Sequence, residues 1–516
     1  MVIPPLWRGL DAYVQLTHPP GLQTIVHFGP LYCFGARIPL YIGYIIECLR
    51  VGKSFPSPVF VINPTLNDSG VFLLLLSQHL ALFCSALYFI ISVSRLFWVR
   101  LVLAALWASN PLFYTFAHFV GNEALSVILL LLVGAVGLGI VQRPGNVGWK
   151  RWGLFGVLLW LSILTRHINA VLAGVLPLTF LLLNGYRLIT IPLSRSQLLR
   201  RWRRLRMRQE LKKVAVAVVI GIVSIALANL SLRGLCRVAH TPYYSTFGYT
   251  FLMRLQFLAA LSAKERDQLL DQLARNNSSE LLQVVIPLLR EAFSKPPDQR
   301  GMDSLPPSLV HEAFPEGSAL DDVLAFYKRV NQLFNGSSLH VFDHTARAFL
   351  YHPSKPYVAA VRKDFMRSQQ ITVPIMVDYL FLCTIAYFAH PKFMTQFMWL
   401  VTFREQTPTQ IVTILEKHRY FHLWKDVNHA ALLCFWAANL ALLMVLVHMR
   451  KKDVAAVVSY AIALILVGLL MMLANCFLVD FMPRYALPMW ELTVLSTSIL
   501  FVKTMEYLFS PGRASG

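Results

Sequence analysis

Residues 214–232 and 454–478 are two unbroken apolar stretches without a single charged side chain. Each is long enough as a helix to cross a hydrocarbon core of about 30 Å. Inside a bilayer every backbone N–H and C=O must be satisfied within the structure, and a helix does this segment by segment. Further apolar runs cover residues 70–94, 101–120, 124–141, 153–165, 168–183, 430–449 and 486–509. The expected fold class is therefore an all-α polytopic membrane bundle with nine crossings. Composition agrees, with 56% hydrophobic and only 14% charged residues, which excludes a disordered chain, a collagen and a small disulfide scaffold. The seven cysteines show no C-x-x-C spacing and read as small hydrophobes.

The 47 Lys and Arg against 26 Asp and Glu give a formal charge of +21. In a soluble protein that excess would point to nucleic acid. Here its distribution sets orientation instead, because Lys and Arg at membrane ends stay on the cytoplasmic side. Residues 186–213 hold ten basic residues against one acid, Glu210. Arg143, Lys150 and Arg151 form a second basic loop, Arg450, Lys451 and Lys452 a third, and Arg95 and Arg100 bracket a turn. One alternating topology accommodates all four. It divides the chain into an extracytoplasmic first loop with interfacial helices (1–69), membrane helices with the basic cytoplasmic loop (70–233), a mostly helical extracytoplasmic domain (234–429) and three C-terminal membrane helices (430–516). Within the extracytoplasmic domain, Leu281, Val284, Val285, Leu288 and Leu289 recur at helical spacing. Residues 295–307 are a Pro/Gly-rich break. Pro30, Arg37 and Pro39 interrupt residues 29–49, which are expected to form helices lying at the interface. The amino end has neither a signal peptide nor a first crossing and reads as a cropped or misassigned start.

Ionisable groups at the membrane lip are costly to keep and mark function. On the outer side these are Asp11, His18, Glu123, Arg166, His167, Asp480, Arg484 and Glu491. The crossings 153–165 and 168–183 are short, so the turn they share at Arg166 is expected below the outer surface. A mixed set of acids and arginines suits a phosphate-linked substrate: the guanidinium presents a rigid fork to phosphate, and a carboxylate can take a hydroxyl proton. Each residue also has a plainer role available. Glu123 at a helix N-terminus gains about 0.3–1 kcal/mol from the dipole alone. Arg166 can snorkel, Arg484 can anchor a helix end, and Glu491 can be a structural partner of Arg484. His18 can simply stiffen the turn before Pro19. No phosphate-loop, nucleophile-elbow or metal-binding spacing is present in the sequence, and no essential metal is expected. Sequons at Asn67, Asn276, Asn277 and Asn335 carry meaning only in a secretory pathway.

Asp11 followed by His18-Pro19-Pro20, Asn122-Glu123-Ala124-Leu125 opening a helix, Thr165-Arg166 between paired short crossings, and Arg484-Tyr485-Ala486-Leu487-Pro488 opening the last helix together resemble the GT-C superfamily. They are similar in particular to its dolichyl-phosphate-mannose-type and lipid A aminoarabinose-type members. The resemblance covers the membrane part and not residues 234–429. It implies an integral-membrane glycosyltransferase that uses a polyprenyl-phosphate sugar as donor and no cofactor. Asp11 then matches the catalytic base, although Leu10 and Ala12 flank it where many members carry a second acid. Glu123 matches a second, supporting acid. Arg166 and Arg484 match residues that meet the donor phosphate, with His18, His167 and Tyr485 lining the substrate site. The implied partners are the lipid-linked sugar, a glycan, lipid or protein hydroxyl as acceptor, and the bilayer, with no nucleic acid. The alternative is a transporter or flippase for a lipid-linked or anionic solute; a third possibility is a non-catalytic subunit of a glycan-assembly complex. The expected setting is a bacterial inner membrane, with the endoplasmic reticulum as the alternative.

Overall fold

The computed structural model describes residues 6–7, 29–52, 68–108, 117, 119–142, 147–190, 197–238, 240, 243, 247–277, 279–294, 320–334, 338–368, 437, 439–445, 452–479 and 487–508. Among them the chain is helical throughout, apart from one two-residue parallel pairing of β1 (Leu6–Trp7) with β2 (Phe119–Val120). The first helices are α1 (Pro30–Val51), α2 (Asp68–Val93), α3 (Phe97–Ala108), α4 (Asn122–Val141) and α5 (Trp149–Thr165). A 3-10 segment, His167–Gly174, leads into α6 (Val175–Thr190), followed by α7 (Gln197–Val238). Near the carboxyl end stand α14 (Lys452–Leu478) and α15 (Leu487–Leu508). Between these groups lie α8 (Phe247–Leu252), a second 3-10 segment (Met253–Ala260), α9 (Ala263–Asn276), α10 (Glu280–Ala292), α11 (Leu320–Leu333), α12 (Ser338–Tyr351) and α13 (Lys355–Ser368).

Five stretches among the described residues are long and apolar enough to cross a membrane: Ser69–Val93, Asn122–Val141, His167–Tyr186, Leu211–Val238 and Val454–Leu478. The expectation of nine is met only in part. Residues 109–116 and most of 430–449 lie outside the described residues. The helix α5 has only 17 residues, and α15, although 22 residues long, carries Glu491, Lys503 and Glu506.

Small residues bring the helices close. Tyr460 of α14 donates its hydroxyl to the Gly134 carbonyl at 2.8 Å, and a Cβ at Gly137 would stand 2.4 Å from that hydroxyl. This is the close small-residue packing typical of membrane interfaces. Basic side chains at two helix ends make local contacts. Arg151 donates to Gly139 O (3.3 Å) and Arg100 to Ser94 O (2.7 Å). Ser94 donates to Glu506 Oε1 (2.6 Å), and Glu506 is also bridged by Lys503 at 2.6 Å. Glu123, Arg166 and the far end of α14 occupy the opposite end.

One expectation needs correction. Residues 29–49 do not split into several helices: α1 runs unbroken through Pro39. The carbonyl that Pro39 leaves without a donor belongs to Gly35, beside which there is open space. In α10 the buried residues are Leu282, Val285, Ile286 and Leu289, whereas Val284 is 43% exposed. The helix expected from the periodicity over residues 280–293 is thus present, and the face it buries is the one that packs on other helices of the same unit.

That unit, α8 to α13, closes around Phe251, Phe257, Phe349 and Tyr357, whose rings lie 5.4–6.2 Å apart. At its centre Arg254 pairs with Asp364, both buried. The Arg254 guanidinium also stands 5.7 Å over the Tyr357 ring. Tyr357 in turn donates its hydroxyl to the carbonyl of Phe477, next to the last residue of α14. The unit therefore sits at the same end of the bundle as Glu123 and Arg166.

Candidate functional site

Three helix ends meet at that face. Asn122 opens α4, and its side-chain amide donates to the carbonyl of Thr165, the last residue of α5, at 3.4 Å. Gly29, which precedes α1, fits between them: a Cβ there would stand 2.2 Å from Thr165 O and 3.5 Å from Asn122 Nδ2. Its φ of +96° is one that glycine adopts without strain.

Arg166 leaves the helix in an extended conformation (φ −147°, ψ 124°), although its N–H still bonds Ser162 O at 3.1 Å. Its carbonyl accepts from Asn169 N–H (3.0 Å), which starts the 3-10 segment. The Asn169 side chain, fully buried, locks the turn by donating to Ser126 Oγ (3.2 Å), Ser162 O (3.1 Å) and Ser162 Oγ (3.0 Å). Glu123 follows Asn122 and Arg166 follows Thr165, so the Asn122–Thr165 bond brings an acid and a base to one junction. Glu123 is 1% exposed in the first turn of α4, where the partial positive charge of the helix end favours a carboxylate. Arg166 is half-buried and His167 is exposed.

This junction is recessed. Gln78 of α2 accepts from Tyr32 (3.1 Å), near the start of α1, and donates to Ala117 O (2.8 Å), shortly before α4. Gln78 lies nine residues, about 13 Å, along the helix from Ser69, where the α2 span begins. On the other flank α15 starts low beside α14: a Cβ at Gly468 would stand 3.1 Å from Met489 Cα. Gly468 is ten residues, about 15 Å, short of Leu478. The start of α4 and the start of α15 thus both stop below the outer ends of the neighbouring spans.

Of the predicted site residues, Glu123 and Arg166 each adjoin one partner of the Asn122–Thr165 bond, with His167 next in the chain, while Asp11, His18, Arg484 and Tyr485 lie outside the described residues, as does Asp480. The pairing of Trp7 with Val120 does bring the amino-terminal strand to the segment that opens α4. Glu491 is fully buried, and among the described residues neither of its oxygens has a hydrogen-bond partner. Sequence reasoning missed Asn169, Ser126, Ser162 and Gly29. A polar Asn within an apolar membrane segment was a usable signal for the first; nothing local marked the others. Among the described residues no three His, Cys, Asp or Glu side chains gather to hold a metal ion. No protein family, curated protein or solved structure matches the chain.

Proposed function

We propose that this protein is a membrane glycosyltransferase that moves a sugar from a polyprenyl-phosphate donor to a hydroxyl acceptor at the face opposite the basic loops. The observation that carries the reading is the recessed junction, where the Asn122–Thr165 bond joins the chain neighbours of Glu123 and Arg166. A phosphate that stays at the lipid headgroup has to be met near the membrane surface or just below it. In that low-dielectric setting a guanidinium stabilises developing negative charge far better than it does in water.

In the proposed reaction the acceptor oxygen attacks the anomeric carbon while the carbon–oxygen bond to phosphate breaks. The bonding pair leaves with the polyprenyl phosphate, and the acceptor proton passes to Asp11. A single displacement inverts the anomeric centre. Arg166 and Arg484 neutralise the departing phosphate, Glu123 supports the arrangement from the first turn of α4, and His18, His167 and Tyr485 have the role of binding substrate. The unit formed by α8 to α13 covers the site and selects the acceptor.

A transporter or flippase of a lipid-linked or anionic solute is the second reading, and Glu491 is the observation that favours it. A buried carboxyl inside a membrane helix without a described partner is characteristic of solute or proton pathways. Reconstituted protein bearing Asp11→Asn distinguishes the two. The enzyme reading expects sugar transfer to be lost while donor still binds; unchanged product formation removes Asp11 from the mechanism.

A further inference from the structure

We propose that the outward face of α13 docks on anionic phospholipid headgroups and holds the α8 to α13 unit against the leaflet surface; the proposal does not depend on the reaction assigned above. The helix is two-faced. Tyr357, Val361, Asp364 and Ser368 are buried at helical spacing. The exposed positions Lys355, Val358, Ala359, Arg362, Lys363 and Met366 also recur at helical spacing and line an open groove. Among the described residues lining it, that face carries three cations and no acid, since Asp364 is turned inward to Arg254.

The height of the helix selects the occupant. Tyr357, next to Val358, bonds the Phe477 carbonyl, and Phe477 is one residue from the end of the Val454–Leu478 span. The helix is thereby fixed where that span leaves the hydrocarbon. A face with Val358 at 45% and Met366 at 52% exposure between Lys and Arg side chains has the make-up of an interfacial helix, with apolar groups for the acyl boundary and cations for phosphate. A soluble protein partner has no comparable reason to meet the helix at this height.

The test is hydrogen exchange, read by mass spectrometry, across Lys355–Ser368 of the full chain in nanodiscs of phosphatidylcholine alone and of phosphatidylcholine with phosphatidylglycerol. Exchange is expected to be roughly tenfold slower in the anionic discs, and added salt should erase the difference. The triple variant Lys355→Gln, Arg362→Gln, Lys363→Gln should lose the difference. The charge-preserving pair Lys355→Arg, Lys363→Arg should keep it, which guards against a folding defect. Equal protection in both lipids means that protein, from this chain or a second copy, covers the face, and overturns the proposal. So does a lipid difference that survives in the triple variant.

Discussion

Gly29 and Thr165 are packed so closely that no side chain fits between them: a Cβ on Gly29 would stand 2.2 Å from the Thr165 carbonyl oxygen. Backbone strain at φ +96° adds to the steric conflict. Gly29→Ala is therefore expected to destabilise the protein by about 2–4 kcal/mol. Gly35→Ala, in the same region but with open space around it, should change stability by less than about 1 kcal/mol and in the favourable direction. Thermal unfolding of both variants in one lipid–detergent mixture checks this. Equal shifts would show that the contact at Gly29 does not hold the junction.

Asn169 ties α4, α5 and the 3-10 segment through one buried amide. Asn169→Ala should cost about 1–3 kcal/mol, because the Ser126 and Ser162 groups it engages have no water to turn to. Ser126→Ala should cost less, since Asn169 keeps both contacts to Ser162. Denaturation midpoints of the two single variants and the double variant give the coupling. Strict additivity would separate Ser126 from the node.

Tyr357→Phe removes the hydroxyl that satisfies one of the last carbonyls of α14 while preserving the ring contacts. A loss of about 0.5–1.5 kcal/mol is expected. It should appear as faster amide exchange in α13, with little change at the basic end of the bundle. Faster exchange at Lys503 and Glu506 to the same degree would mean that the whole bundle, not this joint, had loosened.

Asp343 provides the pH test. Its carboxyl accepts from the Gly248 N–H at 2.6 Å. Burial raises its pKa above the ordinary 3.8, against the opposing influence of that hydrogen bond and of Arg347, His340 and His344. The folded state therefore holds this proton more tightly than the unfolded chain. The stability contributed by this group is fully present below the unfolded-state pKa and declines as pH rises through the folded-state value. Asp343→Asn keeps an acceptor oxygen for Gly248 and should flatten that part of the stability profile. A profile of unchanged slope in the variant would assign the pH dependence to another group.

Much of the architecture could be read from the sequence because its causes are local. The charge-free run at 454–478 needs only its own composition to declare a span, and the positions of Arg151 and Arg100 state which ends belong together. Glu123 and Arg166 stood out because a charge beside an apolar segment is expensive. What escaped notice depends on partners distant in the chain. The face that α10 buries is decided by the helices packed on it, so Val284 fits the periodicity and still lies exposed. Gly29 has no signature of its own; its role exists only once Thr165, more than a hundred residues later, arrives beside it. Pro39 shows the opposite failure, a breaker signal that an open flank beside Gly35 makes tolerable.

Glycosyl transfer by this protein is tested by mass spectrometry of lipid-linked sugars and surface glycans in cells lacking the protein and complemented with either the natural chain or Arg166→Gln. In the deleted cells one polyprenyl-phosphate sugar is expected to accumulate and one sugar to be missing from a glycan. The natural chain should correct both, and the glutamine variant should fall short by about 10²–10³ in transfer rate. Lipid-linked sugars unchanged by the deletion, or full correction by Arg166→Gln, would contradict the proposed transfer.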